Sequence, residues 1–418
     1  MSKPSDNQRR VCIAGGGASG FFAAIQCKSA CPEAEVILLE KSRKLLAKVR
    51  ISGGGRCNVT HACFDPRTLT QHYPRGQREL LGPFHQFNPS HTVDWFESRG
   101  VKLKTEDDGR MFPVSNDSAS IIDCLMMEAE RVGVVIQTER GLKNARWNED
   151  QHGFDLELSD GQQLTCACLM LATGGNRQSA GLTIAEQLGH RIIDPVPSLF
   201  TFHIEAPLLA GLAGITVEHV ETAIEGSKLK QTGPLLITHW GASGPAILKL
   251  SAWGARVLAE RDYAFTLRVN WLPDLSRDAL ETAIAELRQS QGARDLTRKS
   301  PFPGIPRRLW ERFMELAAIA PGTSGSQLAK ASANTLMELL LNSRLPVNGK
   351  SMNKEEFVTA GGVDLKEINM KTMESRVQPN LFMAGEILDI DGVTGGFNFQ
   401  AAWTGGYLAG RAMAEIVG

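Results

Sequence analysis

The 418-residue chain has no apolar run long enough for a membrane span, no C-x-x-C pair and no Cys/His cluster at zinc spacing. The first absence excludes a helical membrane protein, and the others argue against a structural metal. Eight scattered cysteines point to reduced thiols in a cytoplasm. Met1–Gln8 is polar and reads as no signal peptide. A strong charge of either sign is also missing: the net charge is −1, so any nucleic-acid contact has to rest on a local patch. What is present is ordinary for a globular protein, 42% apolar and 22% charged residues, with length for two or three domains.

Arg9 to Glu40 is the organising stretch. Val11–Ala14 is a short apolar run of the buried-strand kind and breaks into Gly15-Gly16-Gly17-Ala18-Ser19-Gly20. A small-faced helix through Phe21, Ala24 and Ile25 follows, then a second buried strand, Val36–Leu39, ending in Glu40. In this order each residue has its own role. Gly15 turns the chain, Gly17 admits a pyrophosphate, and Gly20 lets helix and strand pack. Ala18 and Ser19 open the helix, and Glu40 accepts from a ribose hydroxyl.

Further glycine loops recur along the chain. Ser52-Gly53-Gly54-Gly55-Arg56-Cys57-Asn58 suits neither helix nor strand. Arg56 offers donors to a phosphate or carbonyl, and Asn58 both donates and accepts. Cys57 reads two ways, as a redox thiol or proton donor beside a cofactor, or as a small thiol packed under the loop. A strand over Leu164–Leu171 runs into Ala172-Thr173-Gly174-Gly175, and Val358–Val363 enters the Gly361-Gly362 loop. Leu381–Ala384 leads to Gly385-Glu386, and Gly395-Gly396 precedes a terminal helix beginning near Asn398 with a face of Ala401, Ala402, Gly405, Ala409 and Ala412.

Between these loops the periodicity predicts helices over Ser90–Ser98, with a Ser cap, and Ser118–Val132. Strands are expected at Val134–Thr138, Ala145–Trp147 and Phe154–Leu158, with an Asp160-Gly161 hairpin turn. Asp194–Pro197 marks a boundary. Residues 198–270 read as β-rich, with a Thr238–Pro245 loop able to face a site. Residues 271–320 read as helical, over Ser276–Gln289 and Pro306–Ala318, and carry Arg288, Arg294, Arg298, Lys299, Arg307, Arg308 and Arg312. That run is either a solvated face or a footprint for a phosphate backbone.

In order, Gly15–Gly20 with Glu40, ISGGGRCNVT (51–60), Gly109–Pro113, Ala172–Gly175, Thr238–Pro245, Val358–Val363 and MAGEILDIDGVTGGFNFQAA (383–402) resemble a family of FAD-dependent bacterial flavoproteins. Its members include aminoacetone-oxidase-like enzymes, bile-acid enoate reductases and ribosomal-RNA dihydrouridine synthases. The sequence departs from that pattern at Leu46, Ala47, His61 and Phe397. The resemblance implies an α/β fold: a Rossmann-type, glutathione-reductase-like FAD domain from residues 1–193 and 346–418, interrupted by a β-barrel domain over 194–345. The barrel is itself interrupted by a helical subdomain near 271–320, similar to a helix–two-turn–helix ribosomal protein module.

It further implies FAD as cofactor, held by Gly15, Gly17, Ala18, Ser19, Gly20, Glu40, Lys41, Lys48, Ser52, Gly54, Gly55, Arg56, Cys57 and Asn58. From the remaining loops it adds Ala172, Thr173, Gly174, Gly361, Gly362, Gly385, Glu386, Gly395, Gly396, Phe397 and Asn398. Cys57, Arg110, His239 and Thr359 are the implied substrate-side residues. With one dinucleotide fold, NAD(P)H is expected to dock transiently. Two classes stay open: an oxidoreductase acting on a conjugated double bond, in ribosomal-RNA uridine or in a small enone (or on an amine), and a binding protein with a structural flavin. In the first class Arg298, Arg307 and Arg308 are the expected RNA contacts.

Overall fold

The computed structural model describes residues 9–289, 295–351 and 358–418, and divides into two compact units, Met1–Pro197 with Lys354–Gly418, and Ser198–Asn353. Arg294 of the basic run lies outside the described residues.

The first unit is built on a seven-stranded sheet. Its order is Ile368–Asn369, Glu374–Ser375, Leu381–Met383, Cys168–Leu171, Arg10–Ala14, Glu35–Leu39 and Val135–Gln137. The last five strands run parallel, and the first two add an antiparallel edge. Val11–Ile13 and Val36–Leu39 are buried, as a sheet covered on both faces requires. The helices Ala18–Ala30 and Phe397–Val417 cross at very short range. A Cβ on Gly406 would sit 2.6 Å from the Ser19 carbonyl, and one on Gly410 would overlap the Ala23 carbonyl. That contact holds the C-terminal strand, Leu381–Met383, in the same sheet as Arg10–Ala14, with Cys168–Leu171 between them.

Two expectations for this unit need correction. Leu164–Leu171 is two strands in two sheets, Gln163–Cys166 in a three-stranded meander and Cys168–Leu171 in the parallel sheet. The chain changes partners at Ala167, whose amide donates to the Arg10 carbonyl. The helix expected over Ser90–Ser98 spans Pro89–Glu97 and is capped by Asn88, whose side chain accepts from the Ser90 amide.

The second unit holds a closed six-stranded antiparallel barrel in the order Thr201–Ile204, Gly241–Ser243, Lys230–Thr238, Thr216–Ile224, Ala264–Asn270 and Ser343–Ser351. Residues 198–270 also contain two helices that the β-rich reading does not anticipate, Pro245–Trp253 and Ala255–Glu260. The first starts with Pro245 behind a left-handed Gly244 and buries Ala246, Ile247 and Leu250 in the barrel core. Helices Arg277–Gln289, Arg307–Leu316 and Lys330–Asn342 lie between the last two barrel strands and share that core through Trp271, Trp310 and Phe313. No helix among the described residues is long and apolar enough to cross a membrane.

At the antiparallel edge of the large sheet, His190 is shut from solvent between Glu367 (Nδ1 to Oε2, 2.9 Å) and the Ser375 hydroxyl (Nε2, 2.8 Å). Ser375 Oγ already accepts from the Val377 and Gln378 amides, so its proton goes to Nε2 and the Nδ1 proton to Glu367. Burial holds the His190 pKa below its usual 6.5, although Glu367 pulls the other way. The folded chain therefore binds its proton less readily than the unfolded one. This stabilising share is complete above pH 6.5 and is lost as pH falls through the lowered folded value. The unfolding midpoint of the protein, followed from pH 8 to pH 5, is expected to fall below about pH 6.5, and the fall to be shallower in His190→Asn. Equal slopes would show that His190 is not the titrating group.

Candidate functional site

The segments after the parallel strands Arg10–Ala14, Cys168–Leu171 and Leu381–Met383 come together at their C-terminal ends, where a doubly wound sheet leaves a crevice for ligands. The Gly15–Gly20 turn sits on the Ala172–Gly175 loop so closely that a Cβ on Gly15 would overlap the Ala172 carbonyl. One on Gly20 would overlap the Gly15 carbonyl. These two glycines are demanded by the protein's own packing.

Gly17 is different. Its φ of −93° suits any residue, and a Cβ there would meet nothing within 4 Å. Space kept clear in front of a helix N-terminus is what a pyrophosphate needs. Glu40 accepts from the Gly16 amide (2.8 Å) and the Ser42 amide (2.9 Å), so its carboxylate is held at the end of its strand with lone pairs left for a ribose. This part of the site fits a dinucleotide by its own geometry.

The other loops are locked to this turn. Ser19 Oγ donates to the Ala384 carbonyl, and Gly385 lies against the same hydroxyl. Lys48 forms an ion pair with Glu386. Gly175 packs on Thr359 and on the Glu386 carbonyl, Gly361 on the Asp194 carbonyl and Gly362 on the Ile387 carbonyl. Thr173 accepts at Oγ1 from Ser179. Lys41 is exposed and packs by its stem on Gly141. Leu46, at φ 53°, is a leucine in left-handed backbone, strain of about 1–2 kcal/mol that its buried side chain offsets.

In the triple-glycine loop, Gly53, Gly54 and Gly55 are all left-handed and so is Cys57, at φ 61°. Arg56 stacks 3.9 Å above the Phe112 ring and pairs with Glu106, which Arg110 also reaches. Arg110 pairs in addition with Asp108. Asn58, with its amide oriented to satisfy both ends, donates to the Thr60 carbonyl and accepts from the Gly396 amide at 3.0 Å. It therefore ties this loop to the start of the terminal helix. Asn398 spends its amide on both backbone groups of Gly392, and the buried Phe397 packs against the rings of His61 (4.7 Å) and His72 (4.2 Å), which also lie 5.9 Å from each other. These two act on the shape of the loop.

Cys57 is fully buried, and burial pushes its thiol up to about 12, with the Ser52 hydroxyl pulling slightly the other way. At pH 7 such a thiol stays protonated. His239 belongs to the other unit, where it is exposed on the turn between Lys230–Thr238 and Gly241–Ser243.

Several supporting residues left no readable signal in the sequence. Arg75 grips the fully buried Asp391 with two hydrogen bonds, and Tyr73 donates to the Phe397 carbonyl (2.6 Å). Removing either ion partner would strand a buried charge, a cost of about 3–5 kcal/mol. Gln400 accepts from Thr60 and Thr92 and donates to Thr404, all in the interior. Each contact joins residues more than 300 positions apart, except the one to Thr404. Only an Asp-Gly pair at 391–392 hinted at a turn.

The basic run of the second unit is mostly engaged within the protein. Arg298 pairs with Asp295, Arg307 with Glu311, and Arg312 with Glu315. Arg308 and Arg312 also donate to the carbonyls of Gly211 and Pro207, and Arg288 to that of Leu328. Arg298 and Arg307 remain largely exposed, and their local pairs are weak enough to exchange for phosphates.

Residues 9–412 match the family described as the HI0933-like protein Rossmann domain. The chain is similar to the 3-dehydro-bile acid delta(4,6)-reductase of Clostridium scindens, at 31% identity over 97% of this chain and 99% of the relative. It is also similar to the ribosomal RNA dihydrouridine synthase of Escherichia coli, at 32% identity over 96% of each. Among solved structures, the open conformation of a flavocytochrome c3 fumarate reductase shares the fold, with a TM-score of 0.51 and 17% identity over 99% of this chain and 79% of that one.

Gly17→Leu is expected to fold normally, because its side chain enters space the protein leaves empty, and to be isolated without flavin. A folded Gly17→Leu protein with full flavin absorbance would remove the pyrophosphate assignment. Cys57→Ser is expected to keep flavin and to retain product formation within a few-fold, since so high a pKa makes the thiol a poor acid. Loss of product with nicotinamide oxidation intact would instead make Cys57 the proton donor.

Proposed function

Because the chain belongs to the HI0933-like Rossmann family and is an FAD-dependent oxidoreductase, we propose that it reduces a carbon–carbon double bond conjugated to a carbonyl, the uridine 5,6 bond of ribosomal RNA, with NAD(P)H as reductant. The observation that carries the cofactor half is the open space at Gly17 beside an anchored Glu40. The substrate half rests on the two relatives, whose names describe saturation of a double bond in a steroid ring and in a uracil ring. In each case the bond to be reduced is polarised by a ring carbonyl.

FAD, when bound, would supply hydride chemistry, passing two electrons and a proton from a nicotinamide to one carbon of the double bond, with an acid to protonate the other. The chain's own residues bind, orient and exclude water. Amides at the start of Ala18–Ala30 and the gap at Gly17 receive the pyrophosphate, and Glu40 receives the adenosine ribose. Lys48, Glu386, Thr173 and Gly174 line the path between the two ends of the cofactor. The Asn58–Gly396 hydrogen bond fixes the start of the terminal helix, whose remaining first-turn amides would favour negative charge developing on a bound ring. Thr359, packed on Gly175, and Arg110, held by Glu106 and Asp108, are the hydroxyl and the cation available on the substrate side. Cys57 supports the loop under them.

For an RNA substrate, the exposed Arg298 and Arg307 are the probes to choose, because Arg308 and Arg312 also pin their helix to the 207–211 loop. The double charge reversal Arg298→Glu/Arg307→Glu is expected to weaken ribosomal-RNA binding and flatten its salt dependence, with flavin content and nicotinamide oxidation unchanged. The decisive measurement is dihydrouridine in ribosomal RNA from a deletion strain and its parent. The deletion is expected to lose it at one or a few positions. An unchanged level, with turnover of a conjugated steroid enone by the purified protein, would replace RNA by a small molecule as substrate.

A further inference from the structure

The seven tryptophans divide sharply. Six are buried or half-buried, whereas Trp240 is 64% exposed, on the two-residue turn His239-Trp240 of the barrel. The turn beneath it is rigid. Thr238 pairs with Gly241 across the hairpin, and His203 pairs with Gly241 from the other side. The Trp240 carbonyl accepts from the Ile204 amide at 2.9 Å, and its amide lies 3.3 Å from the Thr238 hydroxyl. Gly241, at φ +144°, is pressed so tightly on the neighbouring strand that a Cβ would overlap the Phe202 carbonyl. A large ring is thus carried out into water on a turn whose backbone is hydrogen-bonded on both sides.

The surroundings of Trp240 select what it can hold. The His203 ring lies 6.4 Å away, tilted by 50°, and His239 is its exposed neighbour in sequence. The nearby charge is an acid, Glu205, 3.8 Å from His203 Nε2. This is an aromatic platform beside an acid, suited to a flat uncharged ring. Resting on the reading of the substrate as RNA, we infer that Trp240 is a stacking platform for an unstacked nucleobase of that RNA. Recognition of single-stranded bases uses such side chains because every base has a π-face.

The test is a fluorescence titration of the flavin-loaded protein with a short oligouridylate and with an abasic strand of equal length. Trp240 is the one largely exposed tryptophan, so its emission reports directly on a ring placed against it. Oligouridylate is expected to quench it and the abasic strand to leave it unchanged. Trp240→Leu, which keeps an apolar side chain but has no π-face, should bind the oligonucleotide about 5- to 100-fold more weakly, and Trp240→Phe should recover part of the loss. Flavin content and nicotinamide oxidation should match the parent in both. Equal affinity of Trp240→Leu and parent, or equal quenching by the abasic strand, overturns the inference. So does quenching by a conjugated steroid enone with none by the oligonucleotide. The substrate reading fails separately: base stacking that depends on Trp240, in a protein whose deletion leaves ribosomal dihydrouridine unchanged, upholds the platform and removes only the reduction of ribosomal uridine.

Discussion

The first unit depends on the close crossing of the helices Ala18–Ala30 and Phe397–Val417. Gly406 and Gly410 let the terminal helix lie directly on the backbone of the first, against the carbonyls of Ser19 and Ala23. At that separation no intervening side chain can adjust the fit, so the C-terminal strand has one place to go, beside Cys168–Leu171. The loop that follows it then reaches Ser19, Lys48 and Gly175. A larger residue at either glycine would force the helices apart and separate loops that have to act on one ligand.

Around that contact the site is assembled from polar interactions of high sequence separation. Asn58 to Gly396, Lys48 to Glu386, Arg75 to Asp391 and Gln400 to Thr60 and Thr92 all join the first hundred residues to the last forty. Those in the interior have every incentive to stay made, because an orphaned buried partner costs several times what a formed pair contributes. Their effect is to hold glycine-rich backbone, which has no side chains of its own to pack, in one arrangement. Preorganisation of this kind lets a flavin site orient a hydride donor without rearranging at the moment of reaction. The Cys57 thiol lies buried within this scaffolding, and its burial pushes the pKa well above the usual thiol value.

What the sequence determined by itself was local and repeated. Gly15, Gly17 and Gly20 between two apolar runs, with Glu40 at the end of the second, specify a strand–turn–helix–strand whose chemistry follows from its geometry. The glycine clusters at 53–55, 174–175 and 395–396 likewise announced loops, whereas the loop expected at Gly361-Gly362 is part of the strand Val358–Val363, where the two glycines admit the carbonyls of Asp194 and Ile387. The amphipathic helices at 119–132, 277–289 and 307–316 were legible because burial imposes a period of 3.6 on them. Tertiary structure decided the rest. The partner change at Ala167, invisible in a continuous apolar run, exists because two different sheets claim its two halves. The helix Pro245–Trp253 is hard to read in sequence because apolar residues fall on its half-buried face (Leu248, Trp253) as well as on its buried one (Ala246, Ile247, Leu250), which blurs the stripe. The basic run near 298–312 could not be weighed from composition, since charge alone does not say which arginines already have a carbonyl or carboxylate to bind. The order of the motif already set Gly17 apart from Gly15 and Gly20, and the folded chain supplies the physical contrast between them. Neighbouring backbone occupies the Cβ position of the latter two and leaves that of Gly17 clear, and only the folded chain puts atoms, or none, at that point.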